Sequence, residues 1–201
     1  MNTLSVEKKE LAPGIFLYKN IDLFMDNEIN TIESLGLLEK TKWQESYAII
    51  NGEKIVNKEI RDSNSFILKF IKDNEKDLDA NSLGYSFSKK IFKATSPYLE
   101  DYQKHFGAIL DNEHEDYRII KYTVGQKFGI HIDDGILYRR ISTIYYLNDD
   151  YEGGEINFPR FNLSYRPKAK DFLVFPSNFM YSHYISEITK GTRYCIVNWK
   201  K

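Results

Sequence analysis

The 201-residue sequence holds a single cysteine, Cys195. An internal disulfide is therefore impossible, and a metal site built from clustered thiolates is excluded. One thiol and no disulfide fit a reducing, cytoplasmic compartment. Long apolar runs are also missing: no stretch approaches the ~20 residues needed to cross a bilayer. Residues 1–14 are polar and charged, without the apolar segment of a secretory signal. Charge of one sign is not in excess. With 28 Lys+Arg against 29 Asp+Glu, the net charge is -1, so nothing overall attracts nucleic acid or an anionic membrane. There are only 5 prolines and 11 glycines, and no repeat or Pro/Gly-rich linker divides the chain. The length fits one domain, 1–201.

What the sequence does have is aromatics, 15 Tyr and 13 Phe among them, which favour strands with well-packed faces. The pattern predicts helical support, N-terminal strands and entrance loops over 1–116, followed by a strand-rich core over 117–201. In the first part, 15–19 reads as a strand. Asp26 caps a helix to about Lys40 that carries Ile29, Ile32, Leu35 and Leu38 on one face. Asn51-Gly52 joins strands 43–50 and 53–56 in a hairpin. The segment 65–73 alternates poorly and has no assignment. A helix over 82–95 is followed by a second to about Phe106, with Ser96 as cap and Pro97 at its first position. Strands then follow over 117–122, 129–133, 142–147, 155–158, 163–165, 171–175, 181–184 and 192–199. Short strands behind helices predict an α+β fold, a double-stranded β-helix (jelly-roll) barrel supported by a layer of helices.

The segment around Gly129-Ile-His131-Ile-Asp133 carries the chemistry. Residues two apart in a strand point the same way, so His131 and Asp133 aim an imidazole and a carboxylate at one place. Asp134 would point off that face. On its own, a His-x-Asp pair is common and mostly marks a hydrogen-bonded pair on a surface strand. The context adds a third donor. Of the other histidines, His105 sits in a helical pattern, His114 in a charged run, and His183 in a late strand. Two histidines and one carboxylate on one face of a metal form the facial triad of non-haem Fe(II) oxygenases, which leaves positions open. Ten residues after His183, Arg193 shares a strand face with Cys195, Val197 and Trp199. A cation among apolar neighbours needs an anion, and the planar guanidinium suits a carboxylate.

With these residues in place, the sequence resembles the 2-oxoglutarate/Fe(II) dioxygenase superfamily, in its prolyl 4-hydroxylase-like branch, from about Arg61 to Trp199. Arg61-Asp-Ser63 resembles the family's Arg-x-Ser loop, and Tyr122 to Asp133 its Tyr-x-x-Gly-Gln…His-x-Asp block. Arg139…Tyr146-Leu-Asn148 matches the next strand, and Gly153-Gly-Glu155…Phe158-Pro159 the turn after it. Pro167 to Phe175 matches a further strand, with Ala169-Lys170 where glycine is usual. The resemblance implies Fe(II) at His131, Asp133 and His183, and 2-oxoglutarate with its far carboxylate on Arg193, helped by the hydroxyl of Tyr122 or Tyr146. It implies substrate contacts at Arg61, Arg139 and Trp199, a proline-containing peptide or protein as substrate, O2, and ascorbate as an accessory. Phe128 stands where many prolyl hydroxylases carry tyrosine, so a hydroxyl near the metal is missing.

Two other readings stay in view. The same chemistry could serve another side chain, a small molecule or an alkylated base. Base-repair relatives, however, usually carry a second arginine six residues after the first, where this chain has Trp199. A non-catalytic jelly-roll binding module would be marked by loss of a metal ligand, and all three ligands are present.

Overall fold

The computed structural model describes residues 5–23, 27–38, 41–50, 52–69, 83–107, 114–134 and 138–201. In chain order the first half contains β1 (Glu7–Ala12), β2 (Ile15–Lys19), α1 (Glu28–Gly36), β3 (Gln44–Glu45), β4 (Ala48–Ile50), β5 (Glu53–Ile55), β6 (Asn64–Leu68) and α2 (Leu83–His105). The second half contains β7 (Tyr117–Tyr122), β8 (Phe128–His131), β9 (Ile141–Tyr146), β10 (Glu152–Gly153), β11 (Ile156–Phe158), β12 (Leu163–Tyr165), β13 (Phe172–Pro176), β14 (His183–Ile185), β15 (Ile188–Lys190) and β16 (Arg193–Lys200). Eight strands form a major sheet in the order β1-β2-β13-β9-β16-β7-β6-β3, and four form a minor sheet in the order β12-β11-β14-β8.

Period-two alternation in the major sheet explains the layering. Phe16, Tyr18, Ile119, Tyr145 and Ile196 face one way and pack with Ile32 and Leu35 of α1 and Phe87, Ile91 and Leu99 of α2. Their neighbours Leu17, Ile120, Tyr146, Cys195 and Val197 face the other way and pack with Ile156, Phe158 and Ile185 of the minor sheet. The result is helices, large sheet and small sheet, mostly β with two helices. Hydrogen bonds join the two sheets along no edge among the described residues.

Several sequence expectations change. The helix broken at Ser96-Pro97 is instead continuous, with Pro97 inside α2. Buried Phe87, Ile91, Thr95, Leu99 and Tyr102 carry one apolar stripe straight through that point, whereas Pro97 lies on the exposed side. Packing of the stripe outweighs the missing hydrogen bond to the Lys93 carbonyl. Pro97→Ala is therefore expected to raise the urea midpoint, by roughly 2 kcal/mol. An interior proline costs ~3 kcal/mol, and losing its stiffening of the unfolded chain returns about 0.4–1 kcal/mol. A lowered midpoint would contradict the continuous helix.

Helix α1 is also shorter than predicted. Asn27, in a left-handed conformation (φ 57°), precedes it, and it stops at Gly36. Asp26 and Lys40 lie outside the described residues. Trp43 folds back over Gly36, where a Cβ would collide with the indole, and the Trp43 backbone N–H donates to the Gly36 carbonyl (3.0 Å). Leu38 falls beyond the helix and is 52% exposed, so it is not on the buried face. The unassigned segment supplies β6, between β7 and β3. Of the predicted hairpin, β4 and β5 pair as expected, while β3 joins the major sheet.

Candidate metal centre and its pocket

The minor sheet brings the two distant histidines together. His183, the first residue of β14, pairs directly across from His131, the last of β8, with ring centroids 4.2 Å apart. Asp133 lies at a bend just beyond β8, two residues on, so the expected strand stops early but the shared direction survives. Oδ1 is 3.6 Å from His131 Nε2, and Oδ2 is 3.9 Å from His183 Nε2. The three ligand atoms all fall within 4.8 Å of one another.

Each ring is oriented by backbone. His131 Nδ1 lies 2.9 Å from the Gly129 carbonyl, and His183 Nδ1 3.0 Å from the Tyr181 carbonyl. The tautomer that satisfies both carbonyls places the proton on Nδ1 and frees Nε2 for a metal. Ser142 Oγ donates to Asp133 Oδ2 (2.7 Å) and sits 2.8 Å from Ser177 Oγ. Burial, then the nearby His183, push His131 well below the imidazole range. Burial works against the Asp133 anion, but the two imidazoles and the Ser142 hydroxyl hold its carboxyl below its ordinary value. A neutral imidazole and an ionised carboxylate are the forms that ligate metal.

The triad opens into a cavity of about 570 Å³, also lined by Arg61, Arg118, Arg139, Arg193 and Trp199. Arg193 is 1% exposed, and its Nε and Nη1 have no hydrogen-bond partner. Among the described residues no carboxylate pairs with it. Its Cζ lies 5.0 Å from the Tyr122 ring centroid and 5.2 Å from that of Tyr146. The hydroxyls of Tyr146 and Tyr151 are likewise buried without a partner. Gly154 makes room there, because a Cβ would come within 3.2 Å of Arg193 Cδ. A buried guanidinium beside two idle hydroxyls is a receptor for an anion. The donor set thus fits a dicarboxylate at Arg193 and a divalent ion at the triad.

The remaining sequence candidates fall on the same cavity. Arg61 is buried rather than on the surface; burial holds its guanidinium below its ordinary pKa, and it lies 4.5 Å over the Phe128 ring. Phe128 in turn stacks on His131 at 3.6 Å, so the residue that departs from tyrosine buttresses a ligand imidazole. Arg139 makes two 2.6 Å bonds to Glu115 and lies 3.6 Å over Trp199. Tyr145 faces away, donating to the Ile21 carbonyl. Sequence reasoning missed Arg118, Tyr151 and Ser142. Alternation could have found Arg118, which shares a β7 face with Ile120 and Tyr122. Nothing local marks Tyr151 or Ser142.

Comparison with known proteins agrees with this geometry. Residues 117–201 match the family described as the 2OG-Fe(II) oxygenase superfamily. A PKHD-type hydroxylase of Gloeothece citriformis (strain PCC 7424) is 33% identical over 88 residues, 39% of this chain and 39% of that protein. The match thus spans well under half of that relative's length. Among solved structures, a Trichoplax adhaerens prolyl hydroxylase in complex with a hypoxia inducible factor oxygen degradation domain peptide superposes with TM-score 0.71 at 18% identity, over 93% of this chain and 83% of that one. The viral collagen prolyl hydroxylase of Paramecium Bursaria Chlorella virus-1, a 2OG complex, gives TM-score 0.60 at 18% identity, over 93% and 95%. A Pseudomonas putida prolyl-4-hydroxylase gives 0.55 at 13%, over 86% and 98%. At these identities the likeness is one of fold. No helix among the described residues is long and apolar enough to cross a membrane.

Proposed function

We propose, from the match of residues 117–201 to the 2OG-Fe(II) oxygenase superfamily, that this chain is an Fe(II)- and 2-oxoglutarate-dependent dioxygenase that hydroxylates a peptidyl proline on a double-stranded β-helix scaffold. The observation that carries the reading is the pairing, in one cavity, of a His-Asp-His triad with a buried arginine that pairs with no carboxylate among the described residues. Iron and 2-oxoglutarate, once bound, would supply the oxidising power, with O2 shared between the succinate formed on loss of CO2 and the hydroxyl placed on the substrate. The protein's own part is placement. His131, Asp133 and His183 would hold the metal, the two imidazole protons fixed by the Gly129 and Tyr181 carbonyls and the Asp133 carboxylate held by the hydrogen bond that Ser142 donates. Arg193 and the hydroxyls of Tyr146 and Tyr151 hold the far carboxylate, Tyr122 flanking the guanidinium with its ring. Ile120, Ile144 and Val197 exclude water from between them.

Substrate enters from the side covered by β4, β5 and the Arg61 loop, which is tied to β8 by the Gly129 N–H to Ile60 carbonyl bond (2.7 Å). Trp199, flattened under Arg139, offers a planar apolar wall of the kind a proline ring packs on. An extended proline-rich segment has little conformational entropy left to lose in such a groove. The experiment measures succinate release with Fe(II), 2-oxoglutarate and ascorbate. Proline-containing peptides are expected to stimulate it and to gain one oxygen by mass spectrometry, whereas free proline and methylated DNA leave it at the uncoupled rate. Stimulation by a peptide that lacks proline would move the activity to another side chain.

A further inference from the structure

We propose that the substrate carries a carboxylate close to the carbon that is hydroxylated, and that Arg61 and Arg118 pair with it in the outer half of the cavity. This rests on the assignment of the inner half to iron and 2-oxoglutarate.

Charge balance points to an anion in the outer half. Once iron and 2-oxoglutarate are bound, their charges together with Asp133 and Arg193 sum to zero. Arg139 is closed by its two-pronged bond to Glu115. Arg61 and Arg118 remain, each buried, lining the cavity, and in no ion pair with any described carboxylate. Asp134, the other acid on the cavity wall, forms no ion pair with either. Buried cations without an anion are costly, and an incoming anion would relieve that cost.

Both arginines also have idle hydrogen-bonding capacity. A guanidinium has five N–H donors. Arg61 uses Nε toward Ser63 Oγ at a long 3.5 Å and Nη1 toward the Tyr47 carbonyl at 3.2 Å. Arg118 makes one bond, from Nη2 to the Tyr47 hydroxyl (2.9 Å). Trp199 Nε1, on the same cavity, is buried without a partner. The outer half therefore presents donors and awaits acceptors.

Both guanidinium groups lie over rings, Arg61 over Phe128 at 4.5 Å and Arg118 over Tyr47 at 4.8 Å. Ring contact occupies the flat faces and leaves in-plane N–H edges for a two-oxygen acceptor. The Arg61 layer is one Phe128 stack removed from His131. That separation is on the order of one or two residues of extended chain, ~3.3–3.6 Å each. The carboxylate is supplied either by an Asp or Glu side chain flanking the target or by the α-carboxylate of a peptide chain end. Both present the same group to the same arginines.

Anisotropy of labelled peptides on protein loaded with Mn(II) and 2-oxoglutarate tests this without turnover. A proline peptide with flanking Glu is expected to bind about tenfold tighter than its Gln isostere, a step typical of a charge-assisted hydrogen bond. In Arg118→Met and in Arg61→Met that preference should collapse toward unity, while Arg118→Lys, which keeps the charge, should retain most of it. Competition by L-proline or by a peptide ending in a free carboxylate, lost in Arg118→Met, would support the pairing and identify an α-carboxylate as its source. Equal affinity for the Glu and Gln peptides in the wild type, without that Arg118-dependent competition, would overturn the proposal, as would a preference that survives in both Met variants, or tight binding of an oligonucleotide alone. Succinate release read in parallel separates the two levels. Equal stimulation by the Glu and Gln peptides, again without that competition, overturns this proposal and leaves the dioxygenase assignment standing. Absence of 2-oxoglutarate-dependent succinate under every condition overturns that assignment and this proposal with it.

Discussion

Asp133→Ala is expected to abolish 2-oxoglutarate turnover while leaving the protein folded. The carboxylate is the only acidic member of the triad, and its two oxygens face both imidazoles, 3.6 and 3.9 Å away. Alanine leaves two neutral nitrogens, too few donors and no negative charge to hold a labile ferrous ion. Groups that merely orient metal ligands cost 10–100-fold when removed, so losing a ligand should cost more than about 100-fold in Fe(II) affinity and in succinate formation. Folding should survive, because Ser142 keeps its contact with Ser177 and the main chain around position 133 is held from elsewhere, by the Asp134 N–H to Ser177 carbonyl bond (2.9 Å). Titration with Fe(II) followed by succinate measurement, beside a circular dichroism melt, checks both halves. Wild-type turnover in this variant would sink the metal assignment. His105→Ala is the control: that histidine is exposed at the end of α2, against the Phe16 and Phe106 rings, so turnover should be unchanged.

Arg193→Ala is expected to raise the apparent KM for 2-oxoglutarate by ~10-fold or more, since a hydrogen bond between charged groups is worth roughly 1.5–3 kcal/mol. Arg193→Lys should recover part of this, because charge survives but the two-pronged fork does not. The structure adds a less obvious consequence. Without ligand, the wild type buries a guanidinium whose Nε and Nη1 bond to nothing, a cost that Arg193→Met removes. The melting temperature of ligand-free Arg193→Met should equal or exceed that of the wild type. With Mn(II) and 2-oxoglutarate added, the order should reverse, because only the wild type gains the binding free energy at that end. An unchanged KM in Arg193→Ala would mean that the co-substrate's carboxylate is held elsewhere.

Both predictions use residues that the linear sequence already singled out. His131 and Asp133 are two apart, and strand geometry alone sends them to one side, even though β8 ends at His131. His183 and Arg193 were found because histidines are few and because a cation in an apolar strand needs a partner. The strands of the second half were legible for the same reason: side-chain alternation is a local property, and 117–122 and 163–165 coincide with β7 and β12. What was not legible depends on neighbours far along the chain. The supposed break at Pro97 followed local propensity, which lost to the packing of α2 on the major sheet. The end of α1 at Gly36 is set by Trp43 returning over it.

The sequence by itself determined the ligand types, their spacing and the pairing of a triad with one buried arginine, because these are matters of residue chemistry and of period-two geometry. Only the tertiary structure decided who meets whom. It set His183 opposite His131 across two strands, brought Ser142 to Asp133, gave Arg139 to Glu115, and left Arg61 and Arg118 without a carboxylate among the described residues. Each of these outcomes depends on sheet register and on which charges fold within ion-pair reach of each other, and neither is written into any local stretch of chain.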